Sequence, residues 1–264
     1  MNFNLLMKYC LNEINLIIKT IHSKYKKNIK YSNEYYLTMI FLLLNDTNNW
    51  SFLSKLKNYK SDFKYHYKTI YNKFRLWTSL DVFKNAFYNL KTKNKTNMLL
   101  IDATLINNKY GSENIVINSE YKKKKITKLS LITNTNGFIY SVTPFDINNK
   151  YKNYSTSVHD VKMICKSINQ IKNINNESKY FYLIDDKAYK SKEELKLKNK
   201  KIIMITPDKI NTINKNFINK RIKLRVQIEN VNCFIKKYER IALRKDKKIN
   251  YFMSFVYMSC IINN

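Results

Sequence analysis

Between residues 98 and 106 the chain reads Met-Leu-Leu-Ile-Asp-Ala-Thr-Leu-Ile, a nearly continuous apolar run broken by one carboxylate. Such a run is the mark of a strand covered on both faces. Downstream, residues 126–134 and 138–145 flank Thr135-Asn136-Gly137 and read as a hairpin. The spacing then predicts a helix over 158–171, a strand over 180–184, a short helix over 191–197 and a strand over 201–206 before Pro207. A long helix follows from about residue 222. This order is mixed α/β.

The first part of the chain has a different rhythm. Leu5, Leu11, Leu16, Ile17 and Ile21 recur at mixed spacing, mostly of four to six, and 36–44 is a second apolar segment, ended by Asn45-Asp46-Thr47-Asn48-Asn49. A third, 65–77, sets Ile70, Phe74 and Trp77 at helical spacing. Asp81 is placed to cap a fourth, carrying Val82, Phe83, Phe87 and Leu90. The stretch 91–97 is polar and aperiodic. The expected organisation is therefore a helical domain over 1–95 followed by an α/β domain over 96–264.

Hydrophobic residues at 44% and aromatics at 14% are enough to bury a core. Lys and Arg number 49 against 19 Asp and Glu, a net charge of +30, which favours a polyanionic partner such as nucleic acid. Abundant Lys, Asn and Ile with only two glycines also fit AT-rich coding, which accounts for part of the lysine excess. It does not account for the scarcity of acids. Cys10, Cys165, Cys233 and Cys260 are scattered, with no C-x-x-C pair, as expected of a reducing compartment. No secretory signal is evident at the start, and the apolar stretches 37–44 and 251–262 fall short of a membrane span. A soluble, intracellular protein is expected.

Three acidic positions carry chemistry. Asp102 lies inside the apolar run, where an ionised carboxylate is costly unless a cation or several donors compensate it; an Asp capping a strand end is the plain alternative. The pair Asp185-Asp186 directly follows the strand 180–184, where α/β folds present side chains to ligands; a turn or cap is the ordinary reading of either one alone. In the last third, Leu224, Ile228, Val231, Ile235, Tyr238 and Ala242 form an apolar stripe at spacings of four and three. Arg225, Glu229, Asn232 and Lys236 follow it one position later, with Arg240 four beyond Lys236, so Glu229 flanks the buried seam. An Arg225–Glu229 surface ion pair would also explain that spacing. Two strand aspartates and a helix glutamate can together converge on two divalent cations, and hard oxygen ligands suit Mg²⁺ or Mn²⁺.

These segments resemble the bacterial insertion-sequence transposases of the IS-five group, within the IS-four/IS-five superfamily. LLIDATLI resembles the family's first-Asp strand. LIDDKAYKS is similar to its second-Asp segment, where Asp precedes Lys or Arg-x-Tyr, and that similarity selects Asp186. RVQIENVNCFIKKYERIALRKDK resembles its glutamate helix: Arg225, Glu229 and Lys236 match, while Ile222 stands where the family has Tyr. Gly137, the pair His159-Asp160, Trp50 and the string YKTIYNKFRLWTSLDVFKNAFYNL add landmarks, so the likeness covers roughly residues 35–262. The basic segment Lys122-Lys-Lys-Lys125 departs from the family in lacking a glycine.

The resemblance implies an RNase H-like mixed sheet flanked by helices, with the helical region 1–95 binding element ends. It implies a DDE active site of Asp102, Asp186 and Glu229 holding two Mg²⁺ or Mn²⁺ ions, and DNA contacts from Lys128, Arg225, Lys236, Arg240 and Arg244. Metal-dependent cleavage and strand transfer, with DNA ends and target as partners and a homodimer when DNA-bound, complete the expectation. A DNA-binding protein that kept the fold without catalysis, and an RNase H-like nuclease without transposition, are the competing readings.

Overall fold

The computed structural model describes residues 3–20, 32–45, 49–55, 66–91, 96–118, 124–145, 161–171, 181–186, 202–206 and 223–264. Among them the first ninety form helices: α1 (Phe3–Thr20), α2 (Asn33–Asn45), α3 (Phe52–Lys55), α4 (Tyr67–Ser79) and α5 (Val82–Lys91). Ser32 Oγ accepts from the Tyr35 amide at the start of α2, and His66 Nδ1 accepts from Lys68 at the start of α4. Both satisfy amide donors that a helix leaves open. Asp81, at the start of α5, is left-handed with φ 54, and its carboxylate pairs with Lys84 at 3.2 Å.

The sheet comprises β1 (Met98–Asn108), β2 (Val116–Asn118), β3 (Lys124–Asn134), β4 (Ile139–Pro144), β5 (Phe181–Ile184), β6 (Ile202–Ile205) and β7 (Leu243–Arg244). Helices α6 (Val161–Asn169), α7 (Arg225–Lys236), α8 (Glu239–Ala242) and α9 (Ile249–Asn263) complete it. β3 runs antiparallel to β1, and β2 and β4 both pair with the other edge of β3. β5 is parallel to β1 and β6 to β5. The resulting order β4-β3-β1-β5-β6, with an antiparallel meander followed by parallel strands, is the RNase H-like arrangement. The predicted hairpin is present, with Gly137 at φ +83 in its turn.

Strand alternation sorts side chains onto two cores. Leu99, Ile101 and Leu183 pack with Ile164 and Ile168 of α6 on one face. Leu100, Ile106 and Ile184 face the larger core, built with α7, α9 and the N-terminal helices. Every residue of α9 from Phe252 to Ile262 is buried. It is the central helix, and burying each large apolar side chain contributes roughly 1.5–3 kcal/mol. This core joins residues from both sides of the polar stretch 91–97. Thr78 of α4 and Ser254 of α9 share a buried hydrogen bond of 3.0 Å within it.

The expected long terminal helix is broken. α7 ends at Lys236, Tyr238 takes an extended conformation (φ −77, ψ 111), and α8 and β7 follow. β2 and β7 were not foreseen. The predicted helix over 191–197, the His159-Asp160 pair and Ile222 lie outside the described residues, as does the first half of the basic segment 122–125.

Candidate active site

The register of β1 and β5 sets the level of the two aspartates. Leu100 pairs with Ile184 in the parallel ladder, so Asp102, inside β1, and Asp186, just past the end of β5, each two residues further, stand level. Asp102 shares the alternation phase of Leu100, and Asp186 that of Ile184; both belong to the face packed by α7. Asp185 falls in the opposite phase, with Leu183, and is fully buried. Asp186 keeps 46% of its side chain exposed. Alternation thus gives a physical reason to distinguish the two neighbours.

Helix α7 lies over this pair. Ile228, Val231 and Ile235 bury its inner stripe. Val231 packs on the hairpin turn, where a β-carbon on Gly137 would meet its Cγ2 at 3.4 Å. Along the edge of that stripe Arg225 Nη1 meets Asp186 Oδ1 at 3.3 Å, and Asn232 Nδ2 donates to Asp102 Oδ2 at 2.8 Å. Glu229 stands between these two contacts on the same helix edge, at spacings of four and three. The two contacts are about 10 Å apart along the axis. Glu229 is exposed. Lys236, one turn beyond Asn232, is half-buried; burial pushes its pKa down, against the opposing pull of Cys233 and Asp102.

Asn232 belongs to the polar row visible in the sequence, but its amide gave no sign of reaching β1. Arg225 pairs with Asp186 rather than with Glu229, the alternative that the helical spacing also allowed. Lys128 lies on β3 beside Leu105, partly exposed.

Two of the residues expected to touch DNA are buried and bonded within the protein. Arg240 is 3% exposed, bonds both oxygens of Asp246 at 3.2 and 2.8 Å, and stacks 4.4 Å from the Phe255 ring. The break at Tyr238 resets the helical phase, turning Arg240 inward. Arg244 is fully buried. It donates to the carbonyls of Asp246 (3.1 Å), Glu113 (2.7 Å) and Lys247 (3.0 Å) and to Thr127 Oγ1 (2.9 Å). Both guanidiniums are engaged in holding the scaffold together.

Among the described residues no three His, Cys, Asp or Glu side chains stand close enough to hold one ion. The acids are instead compensated by Arg225 and Asn232. The donor set still suits a hard divalent cation: the carboxylates flank the end of β5, and Asn232 Oδ1 is buried beside Asp102 without a hydrogen-bond partner among the described residues. An oxygen lone pair there is what a cation would satisfy.

Fold and site define a mixed α/β protein of RNase H-like architecture, with two aspartates abreast under a helix that carries a glutamate. No family model matches the chain, and no curated protein matches it. Among solved structures it is similar to a piggyBac transposase synaptic complex with hairpin DNA, at 12% identity and a TM-score of 0.43, over 82% of this chain. The chain spans about half the length of that protein, 50%. It is also similar to a pre-cleavage Mos1 transpososome, at 10% identity and a TM-score of 0.29, over 90% of this chain and 80% of that one. A Mos1 mariner paired-end complex with Mn follows at 10% and 0.26, over 91% and 79%. Among the described residues no helix is long and apolar enough to cross a membrane.

Proposed function

We propose that the protein is a DDE-type DNA transposase of the insertion-sequence kind, with Asp102, Asp186 and Glu229 as its metal-holding acids. The observation that supports this best is the level pairing of Asp102 with Asp186 under α7, where Arg225 and Asn232 touch the two aspartates and Glu229 lies between. Bound to these oxygens, Mg²⁺ or Mn²⁺ ions would supply activation of the attacking hydroxyl and neutralisation of charge at the phosphodiester. Around that centre the chain's own residues bind and orient. Lys128, Arg225 and Lys236 hold phosphates of the cut strand, and Asn232 keeps the Asp102 carboxylate aimed at the centre. The helical region 1–95 binds element ends, and two copies pair the ends on DNA.

A specific observation favours a second reading. Arg225 already compensates Asp186, as it would in a DNA-binding protein that has given up catalysis. A plasmid carrying the DNA that flanks the gene separates the readings. Nicking at the element ends that requires Mg²⁺ or Mn²⁺ and vanishes in Asp102→Asn is the expected result. Binding without nicking selects the non-catalytic reading, and nicking indifferent to the ends selects a general nuclease.

A further inference from the structure

Beyond the far end of β1, roughly 20 Å from Asp102 at the usual rise per residue, the surface folds into a trough that the catalytic reading leaves unused. Its first lobe is a cavity of about 520 Å³, within the roughly 300–1,000 Å³ typical of ligand sites. Trp50, Tyr67, Tyr71 and Tyr251 line it. The rings support one another: Trp50 and Tyr71 lie 4.9 Å apart edge to face, and Tyr71 and Tyr251 6.3 Å. A second lobe of about 420 Å³ shares Arg75, Lys248 and Tyr251 with the first and adds Asn72, Ser79 and Asn250. The trough is therefore continuous and changes from aromatic to polar along its length.

Its charge is one-sided. Arg75 and Lys248 are exposed and lie along ring faces, 5.8 Å from the Tyr71 centroid and 6.0 Å from that of Tyr251. Lys245 and Lys247 add to the rim. The acid on the lining, Asp246, is neutralised by its pair with Arg240. Rings flanked by cations are what an unpaired nucleotide needs, a face for the base and a positive rim for its phosphates. A duplex keeps its bases stacked inward and would offer this trough only phosphates, leaving the recessed rings unfilled.

We propose that this trough binds single-stranded DNA, with a base stacked against Tyr71 and Tyr251 and the adjoining phosphates on Arg75 and Lys248. The choice of DNA over RNA rests on the transposase reading; the trough's chemistry does not. The site is separate from the acid cluster and gives an unpaired strand near the cut a place to be held.

Tryptophan emission tests it directly, since the chain has two tryptophans and Trp77 is 3% exposed. The full chain is titrated in chelator-containing buffer with single-stranded oligothymidylate, an abasic strand, a duplex and oligouridylate of one length. Oligothymidylate is expected to quench emission, and Trp50→Phe to abolish that quenching. The abasic strand should bind roughly tenfold or more weakly, the loss of about one stacked base. Arg75→Ala/Lys248→Ala, confirmed folded by its melting curve, should weaken binding by a similar factor and flatten its salt dependence. Equal affinity for the abasic strand or the duplex, or wild-type affinity in the double variant, overturns the proposal. Tighter binding of oligouridylate overturns the assignment to DNA. No metal or cleavage is involved, so this site and the catalytic reading stand or fall separately.

Discussion

Asn232 on α7 donates its amide to the Asp102 carboxylate on β1 at 2.8 Å, tying the last third of the chain to the strand that the apolar run builds. The bond joins residues 130 positions apart, and it orients the acid on which the catalytic reading depends. Replacing Asn232 with Ala should cost about 1.5–3 kcal/mol, the usual worth of a hydrogen bond to a charged group. It should also raise the Mg²⁺ concentration needed for half-maximal nicking. Urea unfolding and a metal titration of nicking measure the two effects; an unchanged metal requirement would remove Asn232 from the site.

Arg225 and Asp186 form a pair that is partly solvent-exposed on the aspartate side. Its contribution to stability should stay below about 1 kcal/mol. Arg225→Ala is expected instead to weaken DNA binding and to reduce the slope of log affinity against log salt by about 0.9. It should also tighten Mg²⁺ binding, because a competing cation leaves Asp186. Anisotropy titrations across salt concentrations, with metal binding followed by calorimetry, read both effects.

Arg240 and Arg244 should behave as structural residues. Arg240→Ala strands Asp246 in a buried setting, a loss of roughly 3–5 kcal/mol. Gly111→Ala should be similarly disruptive, since a β-carbon there would lie 2.6 Å from Arg244 Nε. Thermal unfolding checks both. A well-folded Arg240→Ala protein with reduced DNA affinity would restore Arg240 to the DNA face.

Lys236 gives a pH signature. Burial depresses its pKa below the ordinary 10.5, so in the window between its folded and unfolded values the unfolded chain binds more protons. The stability that the neutral amine contributes is present above the unfolded value and is lost as pH falls through the folded one. Lys236→Met should therefore be more stable than wild type at neutral pH, with the gap narrowing as pH rises toward 10.5. It should bind DNA more weakly throughout. Urea melts at a series of pH values test the sign.

Much of the fold was legible because its long elements bury periodic stripes. The run around Asp102 became β1, and the stripe Ile228, Val231, Ile235 became the inner face of α7. Alternation along β5 also explains why Asp185 and Asp186 part company, although the sequence reading separated them only by family resemblance. Short elements escaped. β2 and β7, of 3 and 2 residues, are below the length at which a period shows, and a polar row gives no warning where a helix stops. The break at Tyr238 is what sets Arg240 off the row of Arg225, Glu229 and Asn232. Contacts such as Asn232 to Asp102 depend on how α7 settles over the sheet, which spacing along one helix does not specify.

The central claim is that Glu229, exposed between the two contacts on α7, acts with Asp102 and Asp186 on a phosphodiester. Its most direct test measures nicking of element-end DNA and binding of the same DNA side by side for wild type and Glu229→Gln. The account predicts that nicking in Mg²⁺ or Mn²⁺ is abolished while binding is unchanged or tighter, since a metal ligand and a negative charge are removed together. Normal nicking by Glu229→Gln would contradict it.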